Sequence, residues 1–178
     1  MEIRSIGIIG AGQMGNGIAH VTALAGYRVV MMDISQDSLT AALSLIEKNL
    51  ERQVSSAKIT AAEKAKALAQ IDTTLDISKV GQADLVIEAA TEDETIKQSI
   101  FDLLLPHLQD HTILTSNTSS ISITRLASRT DRPEKFMGFH FMNPVPVMKL
   151  VELIRGIATD ETTYAACKQV VERLGKTA

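Results

Sequence analysis

Three glycines near the start of the chain, Gly10, Gly12 and Gly15, follow the spacing G-x-G-x-x-G and constrain the fold more than any other feature. The apolar run Ser5–Ile9 precedes them, and a helix-like segment, Met14–Ala25, begins among them. In this setting the first glycine permits a tight turn, the second lets a ligand approach the backbone, and the third lets the helix pack closely on the strand. The pattern therefore predicts a strand, a tight turn and a helix as the first unit of an α/β fold.

Short apolar runs alternate with longer amphipathic segments along the rest of the chain. The predicted strands are Ser5–Ile9, Arg28–Met32, Leu85–Ala89, Thr112–Ser116 and Phe136–Phe141. The predicted helices are Met14–Ala25, Asp37–Ser55, Thr60–Gln70, one from a cap at Thr91 to Leu104, and one from a cap at Asp160 to about Leu174, with Gly175 as its stop. Continuous apolar runs suit strands that are buried on both faces. We therefore expect an α/β fold with a doubly wound, mostly parallel sheet (Rossmann) and a helical excursion after the second strand.

Composition and charge exclude several classes of protein. The 178 residues are 45% hydrophobic and 22% charged, which excludes a disordered chain. No apolar run reaches the roughly 18 residues of a membrane span. The net charge is −3 and no basic cluster is present, so we expect no nucleic-acid and no membrane partner. The single cysteine, Cys167, cannot form an internal disulfide, which is typical of a reducing, cytoplasmic compartment, and no Cys/His spacing predicts a metal site.

An acidic residue downstream strengthens the glycine pattern. Asp33 ends the second predicted strand, 21 residues after Gly12. A carboxylate here accepts hydrogen bonds from the adenosine ribose hydroxyls of NAD and repels the 2′-phosphate of NADP. The start of the helix offers free N–H groups to a pyrophosphate. The predicted NAD site comprises Gly10, Gly12, Gln13, Met14, Gly15 and Asp33.

Four segments together resemble the L-3-hydroxyacyl-CoA dehydrogenase family, in particular its short-chain bacterial 3-hydroxybutyryl-CoA dehydrogenases. They are Gly10–Gly15, Glu88–Glu92, Ser116–Ser120 and Gly138–Glu152. The resemblance implies that NAD oxidises the 3-hydroxyl of an acyl-CoA substrate to a ketone. It implies that His140 is the catalytic base and that Glu152 is its carboxylate partner. The other residues that it assigns, to the substrate and the nicotinamide side of the cofactor, are Ser119, Asn143, Glu92 and Lys97.

The chemistry of His140 and Glu152 supports these roles independently. Removing a hydride from C3 requires removal of the hydroxyl proton, and an imidazole is well suited to accept it near neutral pH. A carboxylate on the other ring nitrogen fixes the tautomer and stabilises the imidazolium. Glu152 lies twelve residues after His140, beyond an Asn-Pro-x-Pro turn, so we expect the chain to double back and bring the two side chains together.

The resemblance also bears on domain organisation. The family carries an all-helical domain after its cofactor domain. The resemblance also implies that the full-length protein is a homodimer. We expect residues 1–178 to form one NAD-binding Rossmann domain, truncated before a final strand and without the helical domain. Hydride transfer needs a closed cleft, so we expect weak activity or none from these residues alone. The family's CoA contacts fall near Asn49 and Ser56, which are not the expected residue types, so the CoA-binding residues are not predicted.

Two other functions remain open. The chain fits a non-catalytic NAD-binding or structural protein, like the crystallins related to this family, although His140 and Glu152 argue against that reading. It also fits a dehydrogenase of another β-hydroxy acid, a class that shares a glycine loop followed by Met-Gly. The segments Ser116–Ser120 and His140–Glu152 are a poor match to that class.

Overall fold

A computed structural model describes the whole chain, residues 1–178, as one seven-stranded sheet with helices on both faces. The strands are β1 (Ser5–Ile9), β2 (Arg28–Met32), β3 (Ile71–Thr74), β4 (Leu85–Glu88), β5 (Ile113–Ser116), β6 (Phe136–Phe141) and β7 (Val151–Arg155). Their order is β3-β2-β1-β4-β5-β6-β7. β1 to β6 are parallel and β7 is antiparallel to β6. The predicted doubly wound, mostly parallel fold is confirmed.

Six α-helices connect these strands, and a seventh follows β7. They are α1 (Gln13–Leu24), α2 (Gln36–Ser55), α3 (Ala61–Ala69), α4 (Ile77–Val80), α5 (Glu94–Leu104), α6 (Ile123–Ser128) and α7 (Glu161–Arg173). The helical excursion predicted after the second strand is α2 and α3. None of the helices has both the length and the apolar character needed to cross a membrane.

The central strands are buried on both faces, as their continuous apolar runs predict. Ile8 of β1 belongs to a cluster of 28 buried residues that includes α1, α2, α3 and α7. The next residue, Ile9, belongs to a separate cluster of 12 that includes α4, α5 and α6. Successive side chains of a strand point to opposite faces, so one short run serves two cores.

Two strands were not predicted, and both lie at the edges of the sheet. β3 has the sequence Ile-Asp-Thr-Thr and β7 has Val-Glu-Leu-Ile-Arg. Each exposes part of its side chains to solvent, so neither carries the continuous apolar run of a central strand. The Leu85–Ala89 and Thr112–Ser116 predictions are each one residue too long.

One of the predicted helix caps is wrong. The cap of α5 is Asp93, whose side chain accepts a hydrogen bond from the Ile96 N–H. Thr91 instead accepts from the Asp93 N–H, in the turn that leads to the helix. An aspartate is the stronger N-cap, and it stands next to the first helical residue. The caps predicted at Thr60 and Asp160 are confirmed.

Candidate cofactor and catalytic site

The strand order reverses at β1, whose neighbours are β2 on one side and β4 on the other. In open α/β sheets, ligands bind outside the carboxyl ends of the strands at this reversal. We call this space the crevice. A groove of about 270 Å³ lies there. Its lining residues are Gly12, Gln13, Met14, Ala89, Ala90, Thr91, Glu92, Lys97 and Asn117.

Residues Gly10–Gly15, which we call the glycine loop, join β1 to α1. Gly10 has φ +106°, in the left-handed region that favours glycine. A Cβ on Gly15 would lie 1.7 Å from the Gly10 carbonyl oxygen, so helix and strand make the close approach that the sequence predicts. A Cβ on Gly12 would meet no protein atom within 4 Å. The protein therefore leaves the space at Gly12 open, and this space fits the approach of a ligand to the backbone.

The start of α1 suits an anionic group. Its N-cap is Gly12, which makes no side-chain capping bond, and no acidic residue lies in the first turn. The N–H groups of this turn therefore remain available, and the positive end of the helix dipole points into the crevice. Together with the open space at Gly12, this arrangement fits the pyrophosphate of a dinucleotide.

Asp33 lies at the end of β2, beside the glycine loop. One carboxylate oxygen accepts a hydrogen bond from the Ala11 N–H at 2.9 Å, and the other accepts from the Ser35 N–H at 3.0 Å. The sequence predicts a contact with the cofactor ribose but misses this structural role. Asp33 holds the loop in place, and each of its oxygens keeps a second lone pair for a ligand hydroxyl.

On the other side of the crevice, a buried carboxylate contacts three groups. Glu88, the last residue of β4, lies 2.6 Å from Nζ of Lys97, and one of its oxygens accepts from the Ser116 hydroxyl at 2.8 Å. Its second oxygen accepts from the Ala90 N–H at 2.8 Å. Both charged side chains are almost completely buried. The sequence does not identify Glu88 as a site residue. It assigns Lys97 to the cofactor but does not predict that Lys97 pairs with Glu88.

Glu92 and Ser119 lie on the loops that follow β4 and β5. The Thr118 hydroxyl donates to a Glu92 carboxylate oxygen at 3.0 Å, which joins the two loops on the β4 side of the crevice. Ser119, the next residue, is exposed. Its hydroxyl is therefore free to contact a bound molecule.

The antiparallel pairing of β6 and β7 brings His140 and Glu152 together. The two residues are direct partners in the register. Nδ1 of His140 lies 3.4 Å from a carboxylate oxygen of Glu152. The imidazole is 18% exposed and the carboxylate 50% exposed. The chain doubles back as the sequence predicts, but it does so by forming a strand that the sequence does not predict.

Asn143 lies in the turn that follows β6. Its side chain is exposed, and the Asn143–Pro144 peptide bond is cis. Lys176 stabilises this turn from the end of the chain, because its ammonium donates to the carbonyls of Val145 at 2.7 Å and Met148 at 2.5 Å. At the other end of the turn, Oδ1 of Asn117 accepts from the Phe141 N–H at 2.8 Å.

The structure thus gathers the predicted residues at one edge of the sheet. Ser119 follows β5, His140 lies near the end of β6, and Asn143 follows β6. The carboxyl ends of these neighbouring strands share an edge of the sheet with the glycine loop. His140 and Glu152 are in contact. Lys97 contacts Glu88, and its side chain also lines the groove.

The positions considered for CoA lie elsewhere, on α2. Asn49 accepts a hydrogen bond from Arg52 at 3.4 Å, and Ser56 caps the end of the helix. A polar groove of about 810 Å³ runs between α2 and α3, and Lys64 there forms an ion pair with Glu51 at 2.7 Å. Its lining holds three cations, Lys48, Arg52 and Lys64, and two carboxylates, Glu47 and Glu51. One excess positive charge is weak support for a phosphate site.

Comparison with known proteins adds independent evidence. Residues 5–178 match the family described as 3-hydroxyacyl-CoA dehydrogenase, NAD binding domain. The chain is 55% identical over 174 residues to a 3-hydroxybutyryl-CoA dehydrogenase of Bradyrhizobium diazoefficiens, covering 98% of this chain and 59% of that protein. It is 44% identical over 178 residues to a probable 3-hydroxybutyryl-CoA dehydrogenase of Bacillus subtilis, covering all of this chain and 62% of that protein.

Solved structures agree with this match. The (S)-3-hydroxybutyryl-CoA dehydrogenase of Ralstonia eutropha superimposes with a TM-score of 0.96 at 46% identity, covering 98% of this chain and 62% of that one. The chain thus spans about 60% of the length of the Bradyrhizobium and Bacillus relatives.

Proposed function

The chain belongs to the 3-hydroxyacyl-CoA dehydrogenase family and contains its NAD-binding domain, and on this premise we propose that it is the cofactor-binding part of a dehydrogenase that acts on short-chain acyl-CoA esters. The proposed reaction interconverts (S)-3-hydroxyacyl-CoA, such as 3-hydroxybutyryl-CoA, and 3-oxoacyl-CoA. Two relatives that match 98% or more of this chain carry the name 3-hydroxybutyryl-CoA dehydrogenase, one of them as probable.

The 3.4 Å contact between His140 and Glu152 carries the catalytic part of the proposal. Glu152 faces Nδ1, which leaves Nε2 of His140 to accept the proton of the substrate hydroxyl. Bound NAD⁺ supplies the acceptor for the hydride that leaves C3. As His140 becomes an imidazolium, the Glu152 carboxylate stabilises its positive charge, as the partner carboxylate does in other histidine-based sites.

The other site residues position the reactants. The exposed Ser119 hydroxyl would donate a hydrogen bond to the reacting oxygen, and Asn143 would help to hold the nicotinamide. On the adenosine side, Asp33 accepts from the ribose hydroxyls and the glycine loop binds the pyrophosphate. A 2′-phosphate beside Asp33 would meet a like charge, so NAD binds in preference to NADP.

The relatives are longer than this chain, and we propose that a full-length protein completes the site. A helical domain would close the substrate cleft and form a homodimer. Residues 1–178 alone would then bind NAD and turn over substrate weakly or not at all, because hydride transfer needs both reactants in a dry, closed cleft.

The decisive experiment measures NADH oxidation by the full-length protein with acetoacetyl-CoA. We expect turnover with the CoA ester and none with free acetoacetate. Binding of NADH without turnover of either compound would favour a non-catalytic protein. Activity with the free acid alone would favour a dehydrogenase of another β-hydroxy acid.

A substitution then tests the His140–Glu152 pair. Glu152→Gln keeps the shape of the side chain and removes its charge, so we expect turnover to fall by about 10²–10⁴-fold while the Kd of NADH stays the same. The matched control is Glu172→Gln, on the exposed face of α7, which should keep full turnover. Equal turnover in the two variants would contradict the assignment.

A further inference from the structure

The Glu88 cluster lies beneath the crevice and has no part in the proton transfer proposed above. Three elements meet at one carboxylate: the turn after β4 through the Ala90 N–H, β5 through Ser116, and α5 through Lys97. Lys97 is 1% exposed and the Glu88 side chain 0% exposed. The pair is therefore removed from solvent and its charges are poorly screened.

The position of the cluster relates it to one half of the cofactor. The glycine loop takes the pyrophosphate, and Asp33, at the end of β2, marks the adenosine half. The nicotinamide half must therefore extend to the opposite side of β1, over the ends of β4 and β5. Glu88 and Ser116 are the last residues of these two strands and are partners in the register. Lys97 and Ala90 also line the groove.

Stability alone does not account for a buried ion pair at this place. Desolvation of two charges offsets most of their attraction, and an apolar pair of similar volume is often as stable or more so. The packing of Phe101 and Leu104 already holds α5 against the sheet, and the β4–β5 ladder already joins the two strands. The charges are better explained by what binds above them.

We propose that Glu88 is a positioning residue that balances the charge of Lys97 beneath the nicotinamide and thereby sets the relative affinity for NAD⁺ and NADH. The nicotinamide ring is positively charged in NAD⁺ and neutral in NADH. With Glu88 present, the pair has no net charge. Without it, the Lys97 ammonium repels the oxidised ring and leaves the reduced ring unaffected.

Three variants test this inference through the ratio of the two dissociation constants, Kd for NAD⁺ divided by Kd for NADH, measured by calorimetry. Glu88→Gln should raise the ratio about tenfold, because it leaves the ammonium uncompensated. Lys97→Met should lower it about tenfold, because it leaves the carboxylate. The double variant has neither charge, so its ratio should return to within about twofold of the original.

A purely structural role would weaken both forms of the cofactor equally and leave the ratio unchanged in all three variants, which would overturn the inference. Ser116→Ala is the control, because it removes one hydrogen bond to Glu88 and no charge, and its ratio should be unchanged. If Glu88→Gln does not fold, the contrast between a lowered ratio in Lys97→Met and a nearly unchanged ratio in the double variant still decides the question.

The inference rests on the proposed cofactor site, and different results would contradict the cofactor site and the role of the Glu88–Lys97 pair. If the unmodified protein binds neither NAD⁺ nor NADH, the cofactor site itself is wrong. If it binds both and the ratio does not respond to the charge at Glu88 and Lys97, only the role of this pair is wrong. Neither outcome depends on turnover of an acyl-CoA.

Discussion

On the β2 side of the crevice, the backbone makes most of the contacts that shape the site. On the β4 side, these contacts are made by side chains. The glycine loop is defined by the φ of Gly10 and by the approach of Gly15 to the Gly10 carbonyl. Side chains add two hydrogen bonds to its backbone, one from the Ala11 N–H to Asp33 and one from the Asn16 amide to the Gly12 carbonyl. Across the crevice, Glu88 holds Lys97, and Glu152 contacts His140.

The difference separates binding from chemistry. Pyrophosphate recognition needs N–H groups and space, which a backbone without side chains provides. Proton transfer and charge balance need titratable groups at defined positions, which only side chains fixed by their neighbours provide. A change on the β2 side should therefore act through shape, and one on the β4 side through charge or a hydrogen bond.

The largest effect is expected at Gly15 and depends on shape alone. Gly15→Ala places a Cβ 1.7 Å from the Gly10 oxygen, so α1 must move away from β1. We expect the free energy of unfolding to fall by about 3 kcal/mol or more, measured by urea denaturation, with NAD binding lost.

Gly12→Ala is the matched comparison on the same loop. Its Cβ meets no protein atom and its backbone is extended, so stability should stay within about 0.5 kcal/mol while NAD binding is lost. If the two variants were equally unstable, the space at Gly12 would belong to the protein and not to a ligand.

The sequence predicts the β2 side better than the β4 side for the same reason. Glycine spacing records a backbone requirement directly, and Asp33 follows at the distance that the fold dictates. Nothing local distinguishes Glu88, because its partners come from α5 and β5, which only the fold brings together. Glu152 was assigned from a family resemblance, while the strand that delivers it, β7, is too polar at the sheet edge to be predicted.

An intermediate effect is expected in the turn after β6, where one ammonium holds two carbonyls. Lys176→Met removes the bonds to Val145 and Met148, and carbonyls this close to the surface can bind water instead. We expect the local opening free energy of residues 143–150, measured by amide hydrogen exchange, to fall by about 1–2 kcal/mol. Exchange in the glycine loop should not change.

Lys168→Met is the control for the Lys176 substitution, since Lys168 is exposed on α7. It should leave exchange in the turn unaltered. A loss of protection that spread equally to the glycine loop would mean that the two sides of the crevice are not independent.

The smallest effect concerns a group that the β2 side buries without a charged partner. His20 on α1 is 1% exposed, its Nε2 lies 2.8 Å from the Gln53 side-chain oxygen, and its Nδ1 has no partner. Burial lowers the pKa of His20 below its usual 6.5, the Gln53 hydrogen bond partly opposes this, and the nearby Lys176 ammonium adds a smaller lowering effect. The histidine is therefore neutral in the folded protein.

Acid should consequently destabilise the protein in part through His20. As the pH falls through 6.5, the unfolded chain binds a proton at this histidine that the folded chain does not, so the free energy of unfolding decreases. In His20→Leu, urea denaturation on either side of pH 6.5 should show a smaller decrease than in the unmodified protein. His107→Gln, at an exposed histidine, should keep the original decrease. An equal decrease in His20→Leu would mean that the acid sensitivity arises elsewhere.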